Sequence, residues 1–66
     1  MKDILVNSTP VLCQSDNLAA LLIELGYENA VVATAVNGEF VAQHSRGTSL
    51  LKTGDKVEIL APMQGG

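Results

Sequence analysis

In "KVEILAPMQGG", residues 56–66, an alternating strand pattern runs straight into a tail that ends in two glycines. Val57, Ile59 and Ala61 fall on one face of that strand, with Lys56, Glu58 and Leu60 on the other. Glycine loses more backbone freedom on ordering than any other residue, so a terminal Gly65-Gly66 pair does not serve stability. Either the pair is frayed, or the tail is used because it lacks side chains. The remainder of the chain decides between them.

Just before this strand, "TGD" (53–55) makes a turn, with Asp55 placed to satisfy local amides. Leu50 and Leu51 form a very short strand or apolar anchors beneath the polar segment 42–49, a loop with at most one short turn of helix. Further upstream, Val31–Val36 is β-rich, Asn37-Gly38 suits a type I′ turn, and Glu39-Phe40-Val41 returns as the second arm of a hairpin. Apolar runs at Ile4–Val6 and Val11–Cys13 flank Asn7-Ser8-Thr9-Pro10, a polar cluster that reads as another hairpin turn. Pro10 fits only at the turn or on a sheet edge.

Between the hairpins lies "SDNLAALLIELGYE", residues 15–28. Leu18, Leu21, Leu22 and Leu25 recur at i, i+3, i+4, i+7, one stripe of a helix of about nine to eleven residues. Ser15 or Asp16 is expected to cap its start, and Gly26 its end. A helix this short is marginal alone in water, so its leucines must lie on a sheet. The layer rule then gives a two-layer α+β domain, a mixed sheet of four to five strands with one main helix on one face. The first and last strands are expected to be adjacent and parallel in its middle. One domain at 1–61 and a flexible protruding tail at 62–66 follow.

Sixty-six residues sit near the lower size limit for a single core, which disfavours an enclosed catalytic cavity. Hydrophobic residues make up 47% of the chain, enough to fold. Seven Asp/Glu against four Lys/Arg give a net charge of −3. With no basic cluster, nucleic acid and membrane surfaces are disfavoured, and a basic protein face fits better. Glu24, Glu28, Glu39 and Glu58 either steer such a partner or form a solvated surface. The single Cys13 excludes an internal disulfide and suits a reducing compartment. Neither a signal peptide nor a membrane span is indicated, so a cytoplasmic location is expected.

Few side chains point to chemistry. Cys13, flanked by apolar residues and without an adjacent base, reads as a small buried hydrophobe. His44 reads as a surface residue, and one His with one Cys falls short of a closed zinc site. No G-x-G-x-x-G or G-K-S/T phosphate loop is present, so any ATP would be held by a partner. If Ile4 and Val6 face the helix, Leu5 points to the opposite face, as Leu60 does opposite Val57 and Ile59. The two leucines would form an apolar patch for docking an enzyme.

The tail is the exception. A chain-end carboxylate becomes reactive once adenylated, and a sulfur nucleophile can then leave a thiocarboxylate. Gly65 and Gly66 would keep the chain end thin enough for a narrow channel, and residues 62–66 reach at most ~17 Å when extended.

Four stretches, "ILVN" (4–7), "LAALLIELG" (18–26), "VATAVNGEFV" (32–41) and above all "LKTGDKVEILAPMQGG" (51–66), together resemble the ThiS sulfur carrier family of thiamin biosynthesis, within the ubiquitin-like β-grasp superfamily. The match spans essentially the whole chain. Its specific part is the spacing of Gly54-Asp55, Val57-Glu58-Ile59, Pro62, Gln64 and Gly65-Gly66. The resemblance implies that a ubiquitin-activating-like adenylyltransferase, using ATP and magnesium, adenylates Gly66. A persulfide sulfur donor would then supply the sulfur of a thiocarboxylate, which passes to thiazole synthase. It implies that Gly65 permits passage into the partner, that Gln64, Met63 and Pro62 help seat the tail, and that the carrier is no enzyme and binds no cofactor itself. Where family members commonly carry a segment with proline, arginine and tryptophan, this chain has "AQHSRGTSL" (42–50), with Arg46 as its only lysine or arginine. Sulfur delivery to molybdopterin or cysteine, covalent protein modification, and a permanently docked β-grasp subunit stay open as alternatives.

Overall fold

The computed structural model describes residues 1–61. Strands β1 (Lys2–Val6) and β2 (Thr9–Cys13) form a hairpin, helix α1 (Leu18–Glu24) follows, and β3 (Ala33–Val36) and β4 (Glu39–Val41) form a second hairpin. A 3-10 helix (Gln43–Thr48) then leads to β5 (Lys56–Leu60). The five strands lie in the order β2-β1-β5-β3-β4. The last strand in sequence is therefore the middle strand in space, parallel to β1 and antiparallel to β3. A five-stranded mixed sheet with one helix across it is the expected β-grasp arrangement.

Both hairpins turn through two residues at positive φ, Asn7 (50°) with Ser8 (69°) and Asn37 (52°) with Gly38 (83°). Such turns match the natural twist of paired strands. The first is tighter than the four-residue cluster suggests, because β2 already begins at Thr9 and takes Pro10 into an edge strand. Strand β3 is shorter than the β-rich run 31–36. Its partner β5 ends at the Ala33–Leu60 pair, leaving Val31 and Val32 no ladder to join.

Helix α1 covers seven residues rather than nine to eleven, because Asn17 caps it instead of Ser15 or Asp16. The Asn17 side chain accepts from the Ala20 amide at 2.8 Å. Ser15 instead donates its hydroxyl to Glu24, and Asp16 pairs with Lys2 at 3.1 Å. The far end closes as the glycine predicts. Gly26 has φ +91°, its N–H donates to the Ile23 carbonyl, and the Tyr27 N–H reaches back to Leu22 at 2.7 Å. These two bonds make a Schellman cap.

Leu18, Leu21 and Leu22 are buried against Ile4, Cys13, Val57 and Ile59 of the sheet. Two polar side chains share this interior, and both are paired. Thr34 donates to the Val41 carbonyl and accepts from the Arg46 guanidinium, which also donates to the Val32 carbonyl at 2.6 Å. The segment 42–49 is thus pinned to β3 by a cation at its centre. Asp55, 3% exposed, accepts from the Asn37 side-chain amide at 3.0 Å and from the Lys52 amide at 2.9 Å. This turn aspartate reaches beyond its own loop.

Asp55→Ala removes a buried carboxylate that accepts from the Asn37 side chain and the Lys52 amide, and should cost about 1–3 kcal/mol of stability by denaturant unfolding. The hydrogen bond from the Ser15 hydroxyl lowers the Glu24 pKa from its ordinary value; desolvation opposes it, and the Gln14 amide adds to the lowering. A lowered folded pKa contributes stability that is present above the unfolded value and lost as pH falls through the folded one. Ser15→Ala should move the Glu24 titration, followed by NMR, back up.

Candidate functional site

Strand alternation leaves the helix-free face of the sheet to Pro10 and Leu12 on β2, Asp3 and Leu5 on β1, Lys56, Glu58 and Leu60 on β5, Ala33 and Ala35 on β3, and Phe40 on β4. Leu60 closes β5 and is 62% exposed. With Val31, Val32, Ala33 and Ala61 it lines an open, mainly apolar depression of about 280 Å³. This depression lies where the chain proceeds toward its C-terminus.

Leu5 shares the face but not the place. It pairs with Lys56, so Leu60 lies four residues further along β5, about 13 Å away along the strand. Lys56 stands beside Leu5 and Glu58 between the two leucines on the same face, so they do not make one patch. The apolar neighbours of Leu60 come from β3 and the segment before it. Phe40, exposed and paired with Ala35, adds an aromatic ring to the same face. The alternation around Asn37-Gly38 was the signal for Ala33, Ala35 and Phe40, since it sets them opposite to Thr34 and Val41.

Strand β5 is bound on both sides by backbone and by turn side chains. From β1, the Leu5 amide donates to the Asp55 carbonyl at 3.0 Å and the Asn7 amide to the Val57 carbonyl at 2.9 Å. The Asn7 side chain then donates to the Ile59 carbonyl at 3.0 Å and accepts from the Ile59 amide at 2.8 Å. From the β3 turn, the Asn37 amide donates to the Lys56 carbonyl at 2.7 Å, and its side-chain oxygen accepts from the Lys56 amide at 3.0 Å.

Cys13 is fully buried, its thiol directed at the Ser15 carbonyl at 3.8 Å. His44 is exposed on the 3-10 helix. Among the described residues no three His, Cys, Asp or Glu side chains gather as a metal site, and no helix is long and apolar enough to cross a membrane. Glu58 lies on the helix-free face while Glu24 is engaged at the end of α1, so the acidic residues do not form one patch. Pro62, Met63, Gln64, Gly65 and Gly66, the expected sulfur-carrying and seating residues, lie outside the described residues.

The fold has close relatives among solved structures. A crystal structure of the thiamine biosynthesis protein ThiS from Geobacter metallireducens matches with a TM-score of 0.82 at 31% identity, covering 97% of this chain and 99% of that one. A solution NMR structure of a thiamine biosynthesis protein from the same organism matches with a TM-score of 0.78 at 29% identity, over 97% and 87% of the two chains. No curated protein sequence matches. The ThiS family model matches residues 2–66, which takes in β1 through β5 and the terminal Gly65-Gly66. By fold and by sequence along its length, the chain belongs to the ThiS family.

Proposed function

We propose that this chain is a sulfur carrier of thiamin biosynthesis, acting as a protein co-substrate, with the carboxylate of Gly66 as its reactive group. The observation that carries this reading is the family match extending through Gly66, downstream of a strand hydrogen-bonded on both sides. One carboxylate oxygen attacks the α-phosphorus of ATP, and pyrophosphate leaves. Adenylation turns that oxygen into part of a good leaving group. The outer sulfur of a persulfide then adds to the acyl carbon and AMP departs, giving an acyl disulfide; a thiol attacks the inner sulfur and releases the thiocarboxylate with a new disulfide, whereas free sulfide gives the thiocarboxylate directly. ATP and magnesium belong to the activating adenylyltransferase, the sulfur comes from a persulfide donor, and thiazole synthase receives it. Gly65 keeps the chain thin for passage, and Pro62, Met63 and Gln64 seat it.

Docking uses the helix-free face at its Leu60 end. Leu60 offers the exposed apolar side chain nearest the C-terminal segment, and Val31, Ala33 and Ala61 surround it. Leu5, beside Lys56 and separated from Leu60 by Glu58, meets the partner as a second, smaller contact.

Incubation with ATP, magnesium, an activating enzyme and sulfide should raise the intact mass by the exchange of one oxygen for sulfur. The chain lacking Gly66 should fold and show no such change. Sulfur acceptance by the truncated chain would refute the assignment of Gly66. Leu60→Glu should weaken affinity for the activating enzyme about tenfold or more by titration calorimetry, as expected for charge placed in an apolar contact. Unchanged affinity would remove Leu60 from the interface.

A further inference from the structure

The two turn asparagines do more than bend the chain. In a parallel ladder, the Asn7 amide bond to the Val57 carbonyl would be followed by a bond from the Ile59 amide to a β1 carbonyl. The Ile59 carbonyl would then accept from an amide further along β1. Strand β1 has already ended by then, because Asn7 turns away at φ 50°. The Asn7 carboxamide takes both places, its oxygen accepting from the Ile59 amide and its nitrogen donating to the Ile59 carbonyl. One side chain thus imitates the missing peptide unit and carries the ladder one step further than β1 itself.

Ile59 lies two residues before Ala61, the last described residue. On its other flank β5 is paired through Thr34–Ile59 and Ala33–Leu60. We infer that Asn7 is a positioning residue for the chemistry at Gly66, holding the end of β5 in the sheet so that a partner has only the residues beyond it to order. This rests on the carrier function proposed above. Residues freed at the end of β5 add to the length of chain that must be ordered before the carboxylate can react, so fewer docked chains are productive. Each further residue to be ordered lowers that productive fraction about fivefold to thirtyfold.

Asparagine tolerates positive φ, and a turn requirement alone would account for its presence. Glycine separates the two roles, since it keeps the turn and removes the carboxamide. Asn37 supplies the matching control. It sits at positive φ in the other hairpin and grips Lys56 and Asp55, at the end of β5 remote from the tail.

The test compares full-length wild type, Asn7→Gly and Asn37→Gly as substrates of an activating enzyme, following pyrophosphate release over a range of carrier concentrations. Asn7→Gly should lower kcat about tenfold to a hundredfold with little change in KM. Amide exchange at Ile59 should quicken in the same variant. Asn37→Gly should stay within about twofold of wild type at saturating carrier. A folded Asn7→Gly chain as reactive as wild type would overturn the inference, as would an equal loss in Asn37→Gly, which would tie the effect to stability. If Asn7→Gly does not fold, Asn7→Asp keeps the acceptor and loses the donor, and wild-type kcat in it would equally overturn the assignment. A wild-type chain that releases no pyrophosphate with an enzyme active on its own carrier would refute the carrier function. A reactive wild type beside an equally reactive Asn7→Gly would refute only the role of Asn7.

Discussion

The parallel pairing of β1 with β5 is the constraint on which the rest of the structure depends. It joins the two ends of the described chain, with Leu5 beside Lys56 and Val6 beside Val57, and so converts two separate hairpins into one sheet. Without it each hairpin would be a marginal two-stranded unit, and the leucine stripe of α1 would have no continuous surface to cover. Val57 and Ile59, the inward residues of the joining strand, lie at the centre of the core that α1 seals. Parallel pairing usually needs a long crossover connection, and here nearly the entire chain between Val6 and Lys56 serves as one.

That topology has a functional consequence. Edge strands fray and terminal segments are ordinarily poorly tied, yet here the strand leading to the C-terminus is the middle one of the five, paired on both sides. Its start is gripped by Asn37 and Asp55, its end by Asn7, and its inward side chains by α1. The chain therefore continues toward Gly66 from a rigid base, with exposed Leu60 and its apolar neighbours beside it. For the proposed carrier function, the requirements on the fold are a chain end that a partner can admit and a firm surface by which it is held.

Much of this was legible because local rules and the fold agree. Four leucines at helical spacing, Gly26 at the helix end and Asn37-Gly38 at the hairpin each specify their structure from nearest neighbours, and the alternation of 56–61 marked the strand that matters. Where the sequence pointed elsewhere, the decisive partner lay far along the chain. Ser15, Asp16 and Asn17 are all competent caps, and Asn17 takes the place while Glu24 and Lys2 engage the other two. Alternation assigns Leu5 and Leu60 to one face but says nothing of register, which sets them apart along β5. The double bond of Asn7 to Ile59 crosses 52 residues and becomes visible only once β1 and β5 are adjacent.

Native-state hydrogen exchange at single amides tests most directly whether β5 is a clamped central strand. The Leu5, Val57 and Ile59 amides should exchange only through global unfolding, in the slowest class together with the buried turns of α1, while β2 on the sheet edge opens more readily. Fast exchange of Ile59 and Val57 through local opening, at rates like those of β2, would contradict the account, because the segment leading to Gly66 would then have no rigid base.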